Sequence, residues 1–159
     1  MCGRASQYSE FSEIEKRFRL APGTPQPPGF MKHWNAAPRM SLLTVRHDDV
    51  GGGRVAEAMR WGLVPSWSKD VGIGDKAINS RSETVTEKPM FRGAWKPGRR
   101  CLVPLDSFFE WKAVGKGKQP FAFGLVGGGD DGGRRVVGDL AWAGWRGDED
   151  VHRFDDGGQ

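Results

Sequence analysis

The sequence predicts an α+β domain with sheet or barrel character in its core. Two observations lead there: several short β-like runs are punctuated by glycine-rich turns, and only a few segments have helical spacing. The helical signal lies within residues 9–20, where Phe11, Ile14 and Phe18 form one stripe and Ser12 and Glu15 are spaced as a capping box. The Pro/Gly stretch Ala21 to Gly29 reads as a loop. Strands are expected at Leu42–Arg46 and Val55–Trp61, joined by a turn around His47 to Gly53. Ser82, or Thr84 with Glu87, could start a small helix that Pro89 interrupts. Further strands are expected at Cys101–Val103, Phe108–Lys112, Phe121–Val126 and Arg135–Ala143, with hairpin turns at Gly115–Gly117 and Gly127–Gly133. There is no repeat and no heptad.

At 159 residues the chain makes one domain, placed at 1–145, followed by a polar, acidic, glycine-rich tail over 146–159. No apolar run approaches the roughly 18–20 residues of a membrane span. The opening MCGRASQYSE lacks the basic and apolar regions of a secretory signal. Two cysteines, Cys2 and Cys101, do not make a disulfide framework, so a reducing, cytoplasmic setting is expected. The net charge of +4 is unevenly spread. Residues 88–118 hold eight Lys or Arg (Lys88, Arg92, Lys96, Arg99, Arg100, Lys112, Lys116 and Lys118) against Asp106 and Glu110, whereas 127–159 hold eight acids against four arginines. A polyanion partner and a solvated basic face both fit, and charge alone does not choose between them.

Common catalytic signatures are absent. His33, His47 and His152 lack metal-ligand spacing and there is no C-x-x-C pair, so neither metal nor cofactor is expected. Gly72-Ile73-Gly74 does not continue into a phosphate-binding loop. The informative position is Cys2. A small residue after Met1 permits removal of the methionine, leaving one residue with both a free amine and a thiol. The α-amino pKa is about 7.7–8.0, so part of it is unprotonated at neutral pH. Such an amine condenses with an aldehyde to an imine, and the adjacent thiol can close a thiazolidine ring; an unremarkable second residue is the other reading.

Three other segments suit that chemistry. In Ala77–Thr84, Asn79 and Arg81 would share one face if the chain is extended, offering an amide and a guanidinium to a phosphate or sugar oxygen; turn chemistry with a surface ion pair is the other reading. In Pro104–Trp111, Glu110 stands among three aromatics, surroundings that disfavour a charged carboxylate and suit proton exchange; a strand glutamate paired to lysine is the alternative. Seven tryptophans accompany one tyrosine. Trp61, ending a strand, is expected in the core, and Trp67, after a proline turn, is the candidate for stacking on an unpaired base.

These pieces occur together, in this order, in the SRAP family (SOS-response-associated peptidases, or abasic-site processing proteins). Met-Cys-Gly-Arg at 1–4, Trp-Asn-Ala-Ala-Pro at 34–38, Trp-Gly-Leu-Val-Pro-Ser-Trp at 61–67, Ile-Asn-Ser-Arg-Ser-Glu-Thr at 78–84, Arg-Cys-Leu-Val-Pro at 100–104, Phe-Phe-Glu-Trp at 108–111 and Lys-Gln-Pro-Phe at 118–121 resemble its motifs. The resemblance runs from residue 1 to about Trp145. It implies an α+β fold with a barrel-like, mostly antiparallel sheet and a few short flanking helices. It also implies a DNA-damage or SOS role, with abasic single-stranded DNA as partner; the chain is expected to be a monomer.

By the same resemblance, Cys2 matches the nucleophile that crosslinks to the ring-opened abasic sugar. Asn79 and Arg81 match residues that orient the sugar and its phosphate, and Glu110 matches the acid/base residue. Arg4, Pro38 and Trp67 match positions lining the DNA groove, together with Arg81. The resemblance departs at the C-terminus. Family members continue through further strands and a His-Asp-Arg-x-Pro segment whose histidine belongs to the active site, a motif that His152 does not match. The chain therefore reads as an SRAP domain incomplete at that end. Other functions compatible with the sequence are a thiol autopeptidase, a lyase-type activity on the abasic site, and a truncated, non-catalytic single-strand-binding protein. Location in the cytoplasm, at the nucleoid in a bacterium, is expected.

Overall fold

A computed structural model describes residues 3–95 and 99–124 together with the backbone of 142–143. Cys2, Lys96, the turn at Gly127–Gly133, most of the strand expected at Arg135–Ala143 and the tail with His152 lie outside the described residues. Within them the fold is α+β. Two antiparallel four-stranded sheets are formed by β1 (Ala5–Gln7), β2 (His33–Ala36), β3 (Ser41–His47), β4 (Arg54–Arg60), β5 (Arg100–Leu102), β6 (Ser107–Val114), β7 (Gly117–Phe123) and β8 (Trp142–Ala143). One sheet has the order β2-β1-β6-β7 and the other β4-β3-β5-β8. Two short helices, α1 (Phe11–Phe18) and α2 (Pro89–Arg92), and a 3₁₀ segment at Val71–Lys76 flank them.

The expected β3–β4 hairpin is present, with Ser41 opposite Arg60 and His47 opposite Arg54. Helix α1 buries Ile14 against Leu20, Leu43, Val45 and Ala56, with Phe11 and Phe18 at the margin. Its start differs from expectation. Glu10, in extended geometry, is the N-cap, and the Glu13 carboxylate accepts from the Glu10 N–H at 3.0 Å. Ser12 and Glu15 thus lie inside the helix, because Phe11 already belongs to its apolar stripe. Pro89 likewise opens a helix rather than interrupting one. It occupies the first turn of α2, where a missing N–H costs nothing. Strand β7 begins four residues before the expected Phe121, since Val114 pairs with Gly117 across a tight turn with Gly115 at φ 57°. Pro120 is accommodated because β7 is the last strand of its sheet among the described residues.

The two sheets are joined through Gln7. This side chain is 1% exposed. Its Nε2 donates to the Leu43 carbonyl at 2.9 Å and to the Pro104 carbonyl at 2.6 Å, while Oε1 accepts from the Leu43 N–H at 2.7 Å. One amide therefore completes the β3 ladder from the opposite sheet. Buried Asp106 secures the exit of β1, accepting from the Tyr8 N–H at 2.5 Å, the Ser9 N–H at 2.9 Å and the Ser9 hydroxyl at 2.5 Å. Replacing Gln7 by Leu would strand three buried backbone groups at about 1–3 kcal/mol each. Urea unfolding of Gln7→Leu should show a loss of about 3 kcal/mol or more; a loss below about 0.5 kcal/mol would show that the amide is dispensable.

Candidate functional site

The start of β1 is the organising feature. Ala5 pairs with Phe108 and Ser6 with Ser107. The ladder continues one step further, the Phe109 N–H donating to the Arg4 carbonyl at 2.9 Å. Extended by another residue, this antiparallel register sets Gly3 level with Glu110 in the middle of β6. Glu110 is partly buried and pairs with Phe121 across the hairpin. Its aromatic company differs from the sequence expectation. Strand alternation sends the adjacent Phe109 and Trp111 to the opposite face. Phe108 and Phe123, stacked with centroids 5.4 Å apart, share the Glu110 face with Phe121.

Arg4, level with Phe109 at the same strand end, donates through Nη1 to Asn35 Oδ1 at 3.2 Å. Ala36 lies opposite Ala5, and two residues further along is the partly buried Pro38. The segment carrying Asn79 reaches this region by packing. Ile78 lies against the buried cluster of Ala5, Ala36, Leu42, Trp61, Val103 and Leu105. The Trp61 indole, buried as expected, donates to the Ile78 carbonyl at 3.2 Å. Asn79 is therefore one residue from a core shared with Ala5. Residues 78–81 are not a strand, so Asn79 and Arg81 do not share a face by alternation. Exposed Arg81 instead opens a turn, its carbonyl accepting from the N–H groups of Thr84 at 3.1 Å and Val85 at 3.0 Å.

Arg4, Pro38, Asn79 and Glu110 thus sit on elements that converge at the start of β1. Trp67 belongs to an adjoining patch. It is 60% exposed, as its place after the proline turn suggested, and its indole N–H reaches the Pro89 carbonyl at 3.4 Å. It lines a shallow pocket with Val64, Pro65, Met90 and Arg99. Between the two regions the chain makes a close crossing. Gly62 has φ 127°, and a Cβ there would lie 2.7 Å from the Gly74 carbonyl oxygen. Next to Pro38, Arg39 (φ 78°) donates from Nε to Asp75 at 2.9 and 3.1 Å, and Arg60 reaches the same carboxylate at 3.5 Å. The hydrogen bonds from Arg39 hold the Asp75 carboxyl below its ordinary pKa; desolvation opposes this, and the charges of Arg39 and Arg60 add to it.

Among the described residues no group of three or more His, Cys, Asp or Glu could hold a metal ion, and no helix is long and apolar enough to cross a membrane. Sequence reasoning missed Gln7 and Asp106, whose roles depend on contacts distant in sequence. It also missed the stacking of Tyr8 on Trp34, at 4.1 Å and 13°.

The model of the family described as SOS response associated peptidase (SRAP) matches residues 1–144. The chain belongs to the SRAP family. It is 43% identical over 116 residues to the abasic site processing protein YoqW of Bacillus subtilis (strain 168), covering 72% of this chain and 49% of that one. To the abasic site processing protein HMCES of Gallus gallus it is 34% identical over 138 residues, covering 76% and 41% respectively. The chain thus spans about half the length of such SRAP relatives or less. A solved structure from Bacteroides thetaiotaomicron superposes with a TM-score of 0.60 at 21% identity, over 76% of this chain and 53% of that one. Another, from Bordetella bronchiseptica, gives 0.58 at 23% identity, over 75% and 55%. Both share the SRAP-type α+β fold.

Two outcomes follow from this geometry. Gly62→Ala should destabilise the SRAP fold by about 2 kcal/mol or more, read by denaturant unfolding, because φ and carbonyl contact both oppose a side chain; an unchanged midpoint would refute the close crossing. A carboxyl held below its ordinary pKa stabilises the fold above about pH 4 and loses that contribution as pH falls through its folded value. The Tm of Asp75→Asn should therefore lie below that of the parent at pH 7, and the gap should close in acid. A gap that stays constant down to pH 2 would exclude the linkage.

Proposed function

We propose that this chain covalently captures abasic sites in single-stranded DNA through Cys2, as the mature N-terminal residue. The observation that supports the reading is the register of β1 on β6. The ladder extends to the Arg4–Phe109 hydrogen bond and points the chain along Glu110, with Asn79 held nearby through Ile78. A trans peptide keeps neighbouring Cα atoms about 3.8 Å apart, so residue 2 is tethered close to Gly3. The names of YoqW and HMCES, abasic site processing proteins, agree with this substrate.

The chemistry balances without a cofactor. The Cys2 amine adds to the C1′ aldehyde of the ring-opened deoxyribose, and the resulting carbinolamine loses water to give an imine. The thiol sulfur then bonds to the imine carbon, its proton passes to nitrogen, and a thiazolidine results. In this reading Glu110 supplies the proton that leaves with the hydroxyl and assists transfer of the thiol proton, the task of a positioned acid/base. Asn79 and Arg81 orient the sugar and its phosphate, Arg81 by charge-assisted hydrogen bonds. Arg4, Pro38 and Trp67 line the path of the strand. Exposed Lys88, Arg92, Arg99 and Arg100 supply positive charge near Trp67 for a polyanion.

The test is incubation with a single-stranded oligonucleotide carrying one abasic site, followed by denaturing electrophoresis. The parent chain should give a heat-stable adduct absent with intact DNA. Cys2→Ala should abolish it while keeping salt-sensitive binding, and Glu110→Gln should slow it by about 10²-fold or more. Adduct yield unchanged in Cys2→Ala would refute the mechanism. Binding of intact and abasic strands alike, with no adduct from the parent, would instead favour a non-catalytic single-strand-binding protein. The rate of adduct formation should rise from pH 6 to 8 as the α-amine deprotonates.

A further inference from the structure

We infer that the exposed indole of Trp34 is a stacking platform for an unpaired base flanking the abasic site. The inference rests on the function proposed above and extends it to a specific DNA contact. Trp34 is 65% exposed, the most open of the large aromatics among the described residues. A large apolar ring in that position has a hydration cost, and the ring contact that orients it is with Tyr8. One indole face lies on Tyr8 at 4.1 Å and 13°. The main chain of Tyr8 is fixed by its N–H bond to buried Asp106. The ring is thus held in place, and preorganised aromatics grip single strands because every base has a π-face.

Its position relative to the proposed chemistry is favourable. Trp34 lies on β2, the outer strand of its sheet among the described residues, two residues from Ala36, which pairs with Ala5 at the start of β1. Two residues of strand span about 7 Å. The residue between them, Asn35, accepts from Arg4. Residues 16–47 contain no carboxylate and hold Lys16, Arg17, Arg19, Lys32, Arg39 and Arg46. Of these, Lys32 directly precedes β2 and is paired with Glu10, Arg39 is paired with Asp75, and Arg46, on the other sheet, is paired with Glu57 and Asp48. An exposed aromatic face next to Asn35, the acceptor of the Arg4 guanidinium, suits a strand of phosphates and bases better than an apolar protein partner.

The experiment measures anisotropy of labelled single-stranded oligonucleotides with a central tetrahydrofuran in place of the abasic sugar. That analogue has no aldehyde, so binding is read without crosslinking. A parallel series replaces one additional flanking base at a time with tetrahydrofuran. Trp34→Ala should raise Kd about ten-fold, and Trp34→Phe should recover most of the loss. One flanking deletion should weaken the parent chain yet leave Trp34→Ala no weaker than before, as expected when both changes remove the same contact. Thermal unfolding of both variants confirms that the fold persists. Kd of Trp34→Ala within about two-fold of the parent, or every deletion weakening parent and variant equally, overturns the inference. Absence of any binding by the parent overturns it as well. Failure of the underlying reading is seen separately, as absence of an adduct between the parent chain and a natural abasic oligonucleotide.

Discussion

The Gln7 amide is the constraint on which the rest of the structure depends. It spends one donor group and one acceptor on three buried backbone groups, two of Leu43 and one of Pro104. Each left unmatched would cost about 1–3 kcal/mol, a large share of the 5–15 kcal/mol that holds a typical domain together. Because the amide sits on β1 and its partners on the other sheet and its connection to β6, it also fixes where β1 starts. Register in a sheet is all or nothing: a slip by one residue would take Ala5 out of its apolar cluster and part the Gln7 amide from its three backbone partners.

Everything at the site follows from that fixed strand. Arg4 extends the ladder onto β6, Asn35 comes from the strand on its other side and Pro38 from the turn that follows it, and Asn79 follows a core residue packed on Ala5. Four segments distant in sequence are thus held by backbone hydrogen bonds and apolar packing rather than by their own charges. Such a frame suits a covalent reaction, since positioning of reactants contributes more than any single surface contact. The exposed tryptophans, Trp34 on β2 and Trp67 beside Pro89, lie on separate segments.

The parts legible in the sequence were those with local signals. The β3–β4 hairpin alternates cleanly between two turn-rich stretches, the stripe of Phe11, Ile14 and Phe18 marks α1, and Trp61 and Trp67 separate into core and surface as their flanks suggest. Strands β1 and β2 were not legible. They are three and four residues long, and β1 buries Ser6 and Gln7, polar side chains whose partners lie far along the chain. For the same reason the extended geometry expected of Asn79 and Arg81 gave way to a loop, which the Trp61 indole and the turn at Thr84 determine. Glu110 is singled out in the sequence by its aromatic neighbours, but the aromatics that share its face are Phe108, Phe121 and Phe123, because adjacent strand residues face apart.

The proposed reaction comes down to two bonds, from one deoxyribose carbon to the nitrogen and the sulfur of a single terminal residue. Peptide mapping by mass spectrometry of the protein–oligonucleotide adduct tests it most directly. The account predicts an N-terminal peptide lacking Met1 and joined through residue 2, with a mass equal to the sum of peptide and abasic strand less one water. Attachment at a lysine, or an adduct that retains Met1, would contradict it.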